Sequence, residues 1–180
     1  IRDNNTILLI IDVQERLIKA VLNREEIVWN IKKLIRASSI MGLNIIFSEQ
    51  NPEKLGKTIR EIKYNGVGET YEKMSFSCCD SSGIMNIIKS KAKSNILICG
   101  LETHVCIQQT CIDLLSKGYH PYIAVDAISC RKLIDHEIAL RKLESAGVVL
   151  STTETAIFEL CKTAERKEFK EISKIIKEQY

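Results

Sequence analysis

The amino-acid sequence predicts an α/β fold in which helices cover both faces of a mostly parallel sheet. Its strand-like runs are almost continuously apolar, which is typical of strands that are buried on both sides. Strand-like and helix-like segments alternate along the chain, and this order favours parallel strands joined by right-handed crossovers. With 180 residues, 45% of them hydrophobic and 27% charged, the composition is that of one ordinary globular domain over residues 1–180.

Four runs rich in Ile, Leu and Val predict the main strands. They lie at residues 6–11, 44–47, 95–99 and 122–125. Shorter runs at residues 148–150 and 70–74 predict two further strands.

Apolar residues at three- and four-residue steps predict the helices between these strands. The helices are centred on residues 27–38, 84–88, 107–115 and 138–143. Glycine follows three of them, at Gly42, Gly118 and Gly147, and glycine commonly ends a helix. Either Asp80 or Ser81 is the expected N-cap of the second helix.

The C-terminal part of the chain, about residues 163–180, is rich in Lys and Glu and predicts a last helix. One side of this helix is apolar and holds Phe169, Ile172, Ile175 and Ile176. We expect that side to cover the rest of the chain, and the alternative is that it docks a neighbouring subunit or a partner protein.

Charge and composition argue against several classes of partner. Lys and Arg number 26 and Asp and Glu number 23, so the net charge is only +3, which argues against a nucleic-acid or membrane partner. No apolar run approaches the ~20 residues of a membrane span, and no basic leader precedes one. Seven cysteines without a C-x-x-C pair favour a reducing compartment. We therefore expect a cytoplasmic protein, with an organelle such as the mitochondrion as the alternative.

Several motifs of α/β enzymes are absent from the sequence. The dinucleotide fingerprint G-x-G-x-x-G, the phosphate-binding loop G-x-x-x-x-G-K-[ST] and the serine elbow G-x-S-x-G do not occur. H-E-x-x-H is also missing, and the three histidines are widely spaced. We therefore expect no cofactor and no catalytic metal.

One acid, one amine and one thiol lie at predicted strand ends, where open α/β sheets bind their ligands. Asp12 follows the first strand, Lys73 ends the segment at residues 70–74, and Cys106 lies near the start of the helix after residues 95–99. A helix N-terminus and a nearby amine lower a thiol pKa, and a carboxylate can accept the thiol proton. The arrangement predicts an acyl-transfer site with a low thiol pKa. Taken singly, each residue also fits a structural role: an N-cap, a surface charge or a small buried side chain.

Five segments resemble the isochorismatase-like cysteine hydrolases. They are LLIIDVQERL at 8–17, EKMSFS at 72–77, ICGLETHVCIQQT at 98–110, VDAISCRKLID at 125–135 and STTETAIF at 151–158. The resemblance covers roughly residues 6–160 and rests on the order and spacing of the motifs. It implies a three-layer αβα sandwich, Rossmann-like, with a six-stranded parallel sheet.

The resemblance also implies the roles of particular residues. Cys106 would attack a carbonyl carbon, Asp12 would move the proton, and Lys73 would hold the carboxylate. The backbone N–H groups of Glu102 and Cys106 would bind the oxyanion, next to a cis bond between Leu101 and Glu102. A small amide or related acyl compound would thus be cleaved through a thioester. Further substrate contacts are expected at Gln14, Glu49, Gln50, Phe76 and His104.

The sequence departs from two branches of this family. Nicotinamidases carry a D-x-H metal motif after the second strand, where this chain has Ser48-Glu49-Gln50. Isochorismatases proper lack the cysteine that stands here at 106. The chain looks closer to the isochorismatase domain-containing proteins, and we expect a homo-oligomer. The alternatives are a catalytically silent interaction protein that keeps the fold, and a redox-sensing protein that uses Cys106 with Cys111 or the Cys78-Cys79 pair.

Overall fold

The computed structural model describes all 180 residues and contains one sheet of six parallel strands. The strands are β1 (Thr6–Ile11), β2 (Asn44–Gln50), β3 (Glu69–Lys73), β4 (Asn95–Leu101), β5 (His120–Ser129) and β6 (Val149–Ser151). Their order across the sheet is β3-β2-β1-β4-β5-β6, and every neighbouring pair is parallel. All six predicted strands are present, and β2 and β5 extend beyond their apolar runs.

Seven α-helices flank the sheet. They are α1 (Arg24–Ile40), α2 (Pro52–Leu55), α3 (Ser82–Ser90), α4 (Gln108–Ser116), α5 (Leu133–Ser145), α6 (Thr153–Cys161) and α7 (Phe169–Lys177). None of them is both long and apolar enough to cross a lipid bilayer. The three-layer αβα architecture predicted from the sequence is confirmed.

The central strand β1 explains why the strand sequences are continuously apolar. Side chains alternate across a strand, so Leu8 and Ile10 face one core and Ile7, Leu9 and Ile11 face the other. The first core is closed by α1, α6 and α7, and the second by α3, α4 and the end of α5. Both sides of the strand must therefore be apolar.

The C-terminal helix α7 packs its apolar side against the rest of the chain. Ile172 and Ile175 are buried, and Phe169 and Ile176 are partly buried against the first core. The helix begins at Phe169, later than residue 163, because residues 164–168 form turns. This side of the helix is therefore used within the chain and is not free to dock a partner.

The strand order places the carboxyl ends of β1 and β4 side by side at the point where the winding reverses. The chain runs outward from β1 through β2 to β3, returns to β4 beside β1, and then runs outward in the other direction. Such a reversal opens a crevice at the strand ends. Gly100 of β4 pairs with Ile11 there, with a φ of +134°, and an added Cβ would overlap the Ile11 carbonyl oxygen. Only glycine fits this close approach of the two backbones.

Candidate active site

Asp12 is the first residue beyond β1, and its carboxylate is held at both oxygens. The hydroxyl of Ser48 donates to Oδ1 at 2.6 Å, and the amine of Lys73 donates to Oδ2 at 2.7 Å. The backbone of Asp12 has a φ of +55°, in the left-handed region that non-glycine residues seldom adopt. The chain therefore turns out of the sheet at this residue, and the side chain is fully buried.

Lys73 ends β3, and its amine has a partner for each of its three protons. Besides Asp12, it donates to the carbonyl oxygens of Ser75 at 3.2 Å and Phe76 at 3.0 Å. Its side chain is 1% exposed and that of Asp12 is 0% exposed, so the ion pair is dry. Burial has the largest single effect and opposes the charged amine, but the Asp12 carboxylate together with Cys78 and Cys106 outweighs it, so the pKa of Lys73 lies above its ordinary value. The pair is a fixed charge centre and not a surface contact.

Cys106 lies in the π-helical turn Thr103–Ile107, which leads from β4 into α4. The residue is only 4% exposed, and the charges of both Asp12 and Lys73 act on its thiol. Burial raises the pKa of this thiol well above its ordinary value, the Asp12 carboxylate raises it further, and Lys73 offsets only part of the rise. The low thiol pKa predicted from the sequence is therefore wrong, and the thiol carries its proton at neutral pH.

Glu102 forms the sharp turn at the end of β4. Its φ is +61°, and its carboxylate accepts two hydrogen bonds from Arg131, from Nε at 3.1 Å and from Nη2 at 3.0 Å. The chain contains no cis peptide bond, so the expected cis bond between Leu101 and Glu102 is wrong. The left-handed backbone of Glu102 makes the turn instead.

The side chain of Gln14 is occupied by backbone groups. Its amide nitrogen donates to the carbonyl oxygens of Gln50 at 3.0 Å and Gly56 at 2.7 Å, and its oxygen accepts from the Gln50 N–H at 2.8 Å. The Gln50 amide in turn donates to the carbonyl oxygen of Met74 at 3.1 Å. Both glutamines thus fasten the segments around the site.

Glu49 is buried and anchors the loop after α2. Its Oε1 accepts from the N–H of Thr58 at 2.7 Å and from the Thr58 hydroxyl at 2.8 Å, and Lys57 lies 3.5 Å from Oε2. Although burial opposes it, these bonds from Thr58 and the Lys57 charge hold the pKa of Glu49 below its ordinary value. Since Ser48, Glu49 and Gln50 are all bonded to groups of the chain, this position does not fit a metal of the nicotinamidase kind.

Phe76 and His104 lie at the outer edge of the site. Phe76 is 51% exposed, and its carbonyl oxygen is one of those that accept from the Lys73 amine. His104 belongs to the same turn as Cys106, its Nε2 is 4.0 Å from Asp135 Oδ2, and its Nδ1 is buried without a partner. Of the five expected substrate contacts, Phe76 is exposed, Gln50 and His104 are half-buried, and Gln14 and Glu49 are buried.

Three residues that no sequence pattern singled out belong to this neighbourhood. Ser48 donates a hydrogen bond to Asp12, and Arg131 donates hydrogen bonds to Glu102. The thiol of Cys78 is buried, and the charges of Lys73 and Asp12 act on its pKa. Burial raises the pKa of Cys78 to about 11. The available signal for Ser48 was its place at the carboxyl end of β2, in register with Ile11.

Two surface clefts differ in their distance from this chemistry. The larger, of about 720 Å³, lies at the start of α6 near the β6 edge, and is lined by Asp126, Thr152, Glu154, Thr155, Phe158 and Glu159. The other, of about 450 Å³, is lined by residues 51–54 and 72–74 and includes Lys73. Size alone would favour the first cleft, but only the second adjoins the buried ion pair.

The comparisons with known proteins agree with one another. A family model described as the isochorismatase domain matches residues 6–155. Isochorismatase domain-containing protein 2 of Rattus norvegicus is 36% identical over 174 residues, which cover 97% of this chain and 82% of that relative.

Other matches extend the likeness to longer relatives and to solved structures. Isochorismatase domain-containing protein 1 of Danio rerio is 33% identical over 92% of this chain and 59% of its own length. The chain spans about three fifths of that relative and of its Salmo salar counterpart. The solved structure of the MAR1 ribonuclease from Caenorhabditis elegans is 33% identical, has a TM-score of 0.92, and covers 98% of this chain and 91% of its own.

Proposed function

The chain belongs to the isochorismatase family of hydrolases, and on that premise we propose that it cleaves a small amide or related acyl compound through a thioester on Cys106. In this proposal Asp12, Lys73 and Cys106 form the catalytic triad. The observation that carries the proposal is the dry Lys73–Asp12 ion pair, whose carboxylate acts on a buried thiol. A buried charge pair beside a nucleophile is typical of catalytic sites.

The neutral thiol determines how the first step would proceed. Because the pKa of Cys106 is raised, few molecules carry a thiolate, and the Asp12 carboxylate would remove the proton as sulfur attacks the carbonyl carbon. The C=O electron pair moves to oxygen, and the backbone N–H groups of Glu102 and Cys106 would stabilise that oxyanion. When the carbonyl re-forms, the C–N bond breaks, and Asp12 returns the proton to the leaving nitrogen.

The second step would release the acid. Water attacks the thioester carbon while Asp12 takes one of its protons. The C–S bond then breaks, the proton returns to the sulfur of Cys106, and the carboxylic acid leaves. Lys73 cannot itself donate a proton easily, because its three protons are all hydrogen-bonded within the chain. Its role in the proposal is to hold Asp12 and balance its charge.

Substrate contacts in this proposal fall on Phe76 and His104. Phe76 offers an exposed ring beside the segment that surrounds Lys73, and His104 belongs to the same turn as Cys106 and is half-buried. Gln14, Glu49 and Gln50 would act indirectly, by holding the loops that border the site.

Self-association is a further part of the proposal. Three apolar side chains near the start of α5, Leu133, Ile134 and Ile138, are exposed. Exposed clusters of large apolar side chains commonly mark contact surfaces. Light scattering of the protein with and without Ile134→Glu and Ile138→Glu would test this: we expect the paired substitution to reduce the assembly, and an unchanged mass would contradict it.

The experiment for the activity is a screen of small amides and acylated amines, with Cys106→Ala as the inactive reference. Loss of the nucleophile is expected to lower turnover by at least ~10³-fold, and mass spectrometry of acid-quenched protein is expected to show an acyl adduct on Cys106. Cys111→Ala is the matched control, because Cys111 is a buried thiol on α4, the helix that follows the turn of Cys106. Unchanged turnover in Cys106→Ala would end the proposal.

The same screen separates the competing functions. A catalytically silent interaction protein would turn over none of the amides. The name of the Caenorhabditis elegans neighbour makes a single-stranded RNA oligonucleotide a useful arm of the screen, and RNA cleavage that survives Cys106→Ala would point away from thioester chemistry. All seven cysteines are free thiols in the structure, and mass spectrometry after peroxide treatment would test the redox alternative.

A further inference from the structure

Ser48 makes a pair of contacts with Asp12 that no other residue makes. The two strands β1 and β2 are parallel neighbours, with Ile11 in register with Ser48. The Asp12 N–H donates to the Ser48 carbonyl oxygen at 3.2 Å, and the Ser48 hydroxyl donates to Oδ1 of Asp12 at 2.6 Å. Ser48 thus binds both the backbone and the side chain of the proposed base.

The hydroxyl of Ser48 completes a two-point hold on the carboxylate. Lys73 contacts Oδ2 alone, so by itself it would leave the carboxylate free to turn about the Cβ–Cγ bond. A second donor on Oδ1 fixes the plane of the group. Hydrogen bonds to a charged acceptor are also stronger than neutral ones, and both residues are buried, so water does not replace a lost donor.

We propose that Ser48 is a positioning residue for the general base, which sets the orientation of the Asp12 carboxylate. This inference rests on the proposed hydrolase function and deepens it. Ser48 does not touch the reacting atoms; it acts through Asp12.

Three other titratable groups face this carboxylate: Lys73 from β3, Cys106 from the π-helical turn, and Cys78 from the short 3-10 turn Cys78–Asp80. Burial raises the pKa values of both thiols, and the Asp12 carboxylate helps to hold the pKa of Lys73 above its ordinary value. At about pH 7.5 the amine is therefore charged and both thiols carry their protons, so the rate at which Cys106 gives its proton to a base reports on how Asp12 is oriented.

The test is the rate of Cys106 alkylation by iodoacetamide at about pH 7.5, measured by peptide mass. In Ser48→Ala we expect this rate to fall roughly tenfold, since the carboxylate is no longer oriented to accept the thiol proton. Ser48→Thr keeps the hydroxyl and is expected to restore the rate to near wild type.

Ser38→Ala is the matched control. Ser38 is as buried as Ser48, at 1% exposure, but its hydroxyl lies on α1 and has no hydrogen-bond partner. Removing it deletes a buried hydroxyl without touching the site, and its alkylation rate is expected to match wild type.

Two results separate the failure of this inference from the failure of the function. If Ser48→Ala matches wild type in its rate of Cys106 alkylation, while Cys106→Ala still abolishes amide turnover, the role of Ser48 is wrong and the function stands. On an amide found by the screen, we expect Ser48→Ala to lower kcat roughly tenfold and to change KM by less than about twofold, and a change confined to KM would also overturn the inference.

Discussion

Two ion pairs border the candidate site, and they differ in depth. Lys73 and Asp12 are 1% and 0% exposed and meet at 2.7 Å, whereas Arg131 is 56% exposed and meets the buried Glu102 at 3.0 Å. Each pair joins a carboxylate at the end of a central strand to one cation. The two pairs therefore differ in their exposure to solvent and not in their contact distance.

The difference indicates separate tasks for the two pairs. A dry pair loses several kcal/mol if one partner is removed, because the other charge is left uncompensated in a poorly polarisable interior. A half-exposed pair contributes about 0–1 kcal/mol and is screened by salt. The inner pair is thus suited to supply charge to Cys106, and the outer pair to hold the left-handed backbone of Glu102.

Lys73→Met is expected to have the largest effect, because it leaves the Asp12 carboxylate buried and unpaired. We expect a loss of about 3–5 kcal/mol in the free energy of unfolding, measured by urea denaturation. Amide turnover is expected to fall at least ~10³-fold. The double variant Asp12→Asn with Lys73→Met removes both charges, and is expected to recover most of the stability and none of the turnover.

Arg24→Met is the control for this prediction, since Arg24 also pairs with a carboxylate, that of Glu61, but both side chains lie at the surface. Its stability is expected to stay close to wild type. If Lys73→Met were no less stable than Arg24→Met, the contrast between the dry and the exposed pair would be lost.

Gly100→Ala is expected to disturb both pairs together, because Gly100 sets the spacing of β1, which leads to Asp12, and β4, which leads to Glu102. Its φ of +134° disfavours an L side chain, and the new Cβ would meet the Ile11 carbonyl oxygen. We expect a loss of about 3 kcal/mol or more, seen as a lower urea midpoint. At Gly147 φ is +98°, but an added Cβ would meet open space, so Gly147→Ala is expected to lower the free energy of unfolding by only about 1 kcal/mol. Equal losses in the two variants would contradict the close-approach argument.

We expect high pH to destabilise the region around the Lys73–Asp12 pair before it affects the Arg131–Glu102 pair. Burial raises the pKa values of Cys78, Cys106 and Cys111 above the ordinary thiol value of 9.0, and Lys73 is also raised. A thiol whose pKa is higher in the folded chain gives its full stabilisation at pH values below its pKa in the unfolded chain. That stabilisation is lost as pH rises above the unfolded-state pKa, because only the thiols of the unfolded chain then ionise. We therefore expect stability to fall from about pH 9 upward, by up to ~1.4 kcal/mol per pH unit for each such thiol.

Urea midpoints at about pH 8 and about pH 10 measure this loss, and Cys111→Ala removes one of the thiols. The variant is expected to lose less stability between the two pH values than wild type. The same loss in both would show that the buried thiols are not its source.

The fold was predictable because each of its signals is local. Continuous apolar runs such as Ile7–Ile11 occur where both faces of a strand are covered, and glycines such as Gly118 end the helices that follow. The position of the site was also predictable, since residues that follow parallel strands meet at one edge of a sheet.

The electrostatics of the site was not predictable from the same signals. The pKa of Cys106 depends on how deeply the turn after β4 is buried, and that depth is set by distant segments, such as the Cys78 N–H that donates to Thr110 at 2.9 Å. Gln14 was expected to contact substrate, but only the folded loop shows its amide bonded to Gln50 and Gly56. Ser48 bonds Asp12 across 36 residues of sequence, which no local pattern reveals.

Arg131→Met is expected to have the smallest effect and gives the sharpest test of the comparison. Its stability is expected to drop by less than about 1 kcal/mol, and less still in about 1 M salt, where screening already weakens the wild-type pair. Turnover is nevertheless expected to fall several-fold, because Glu102 keeps a φ of +61° with one support fewer and its N–H is the proposed oxyanion donor. Arg141→Met is the control, since Arg141 is an exposed arginine at 4.0 Å from Glu137 on α5. An Arg131 variant that lost stability without losing kcat would give the outer pair a structural task alone.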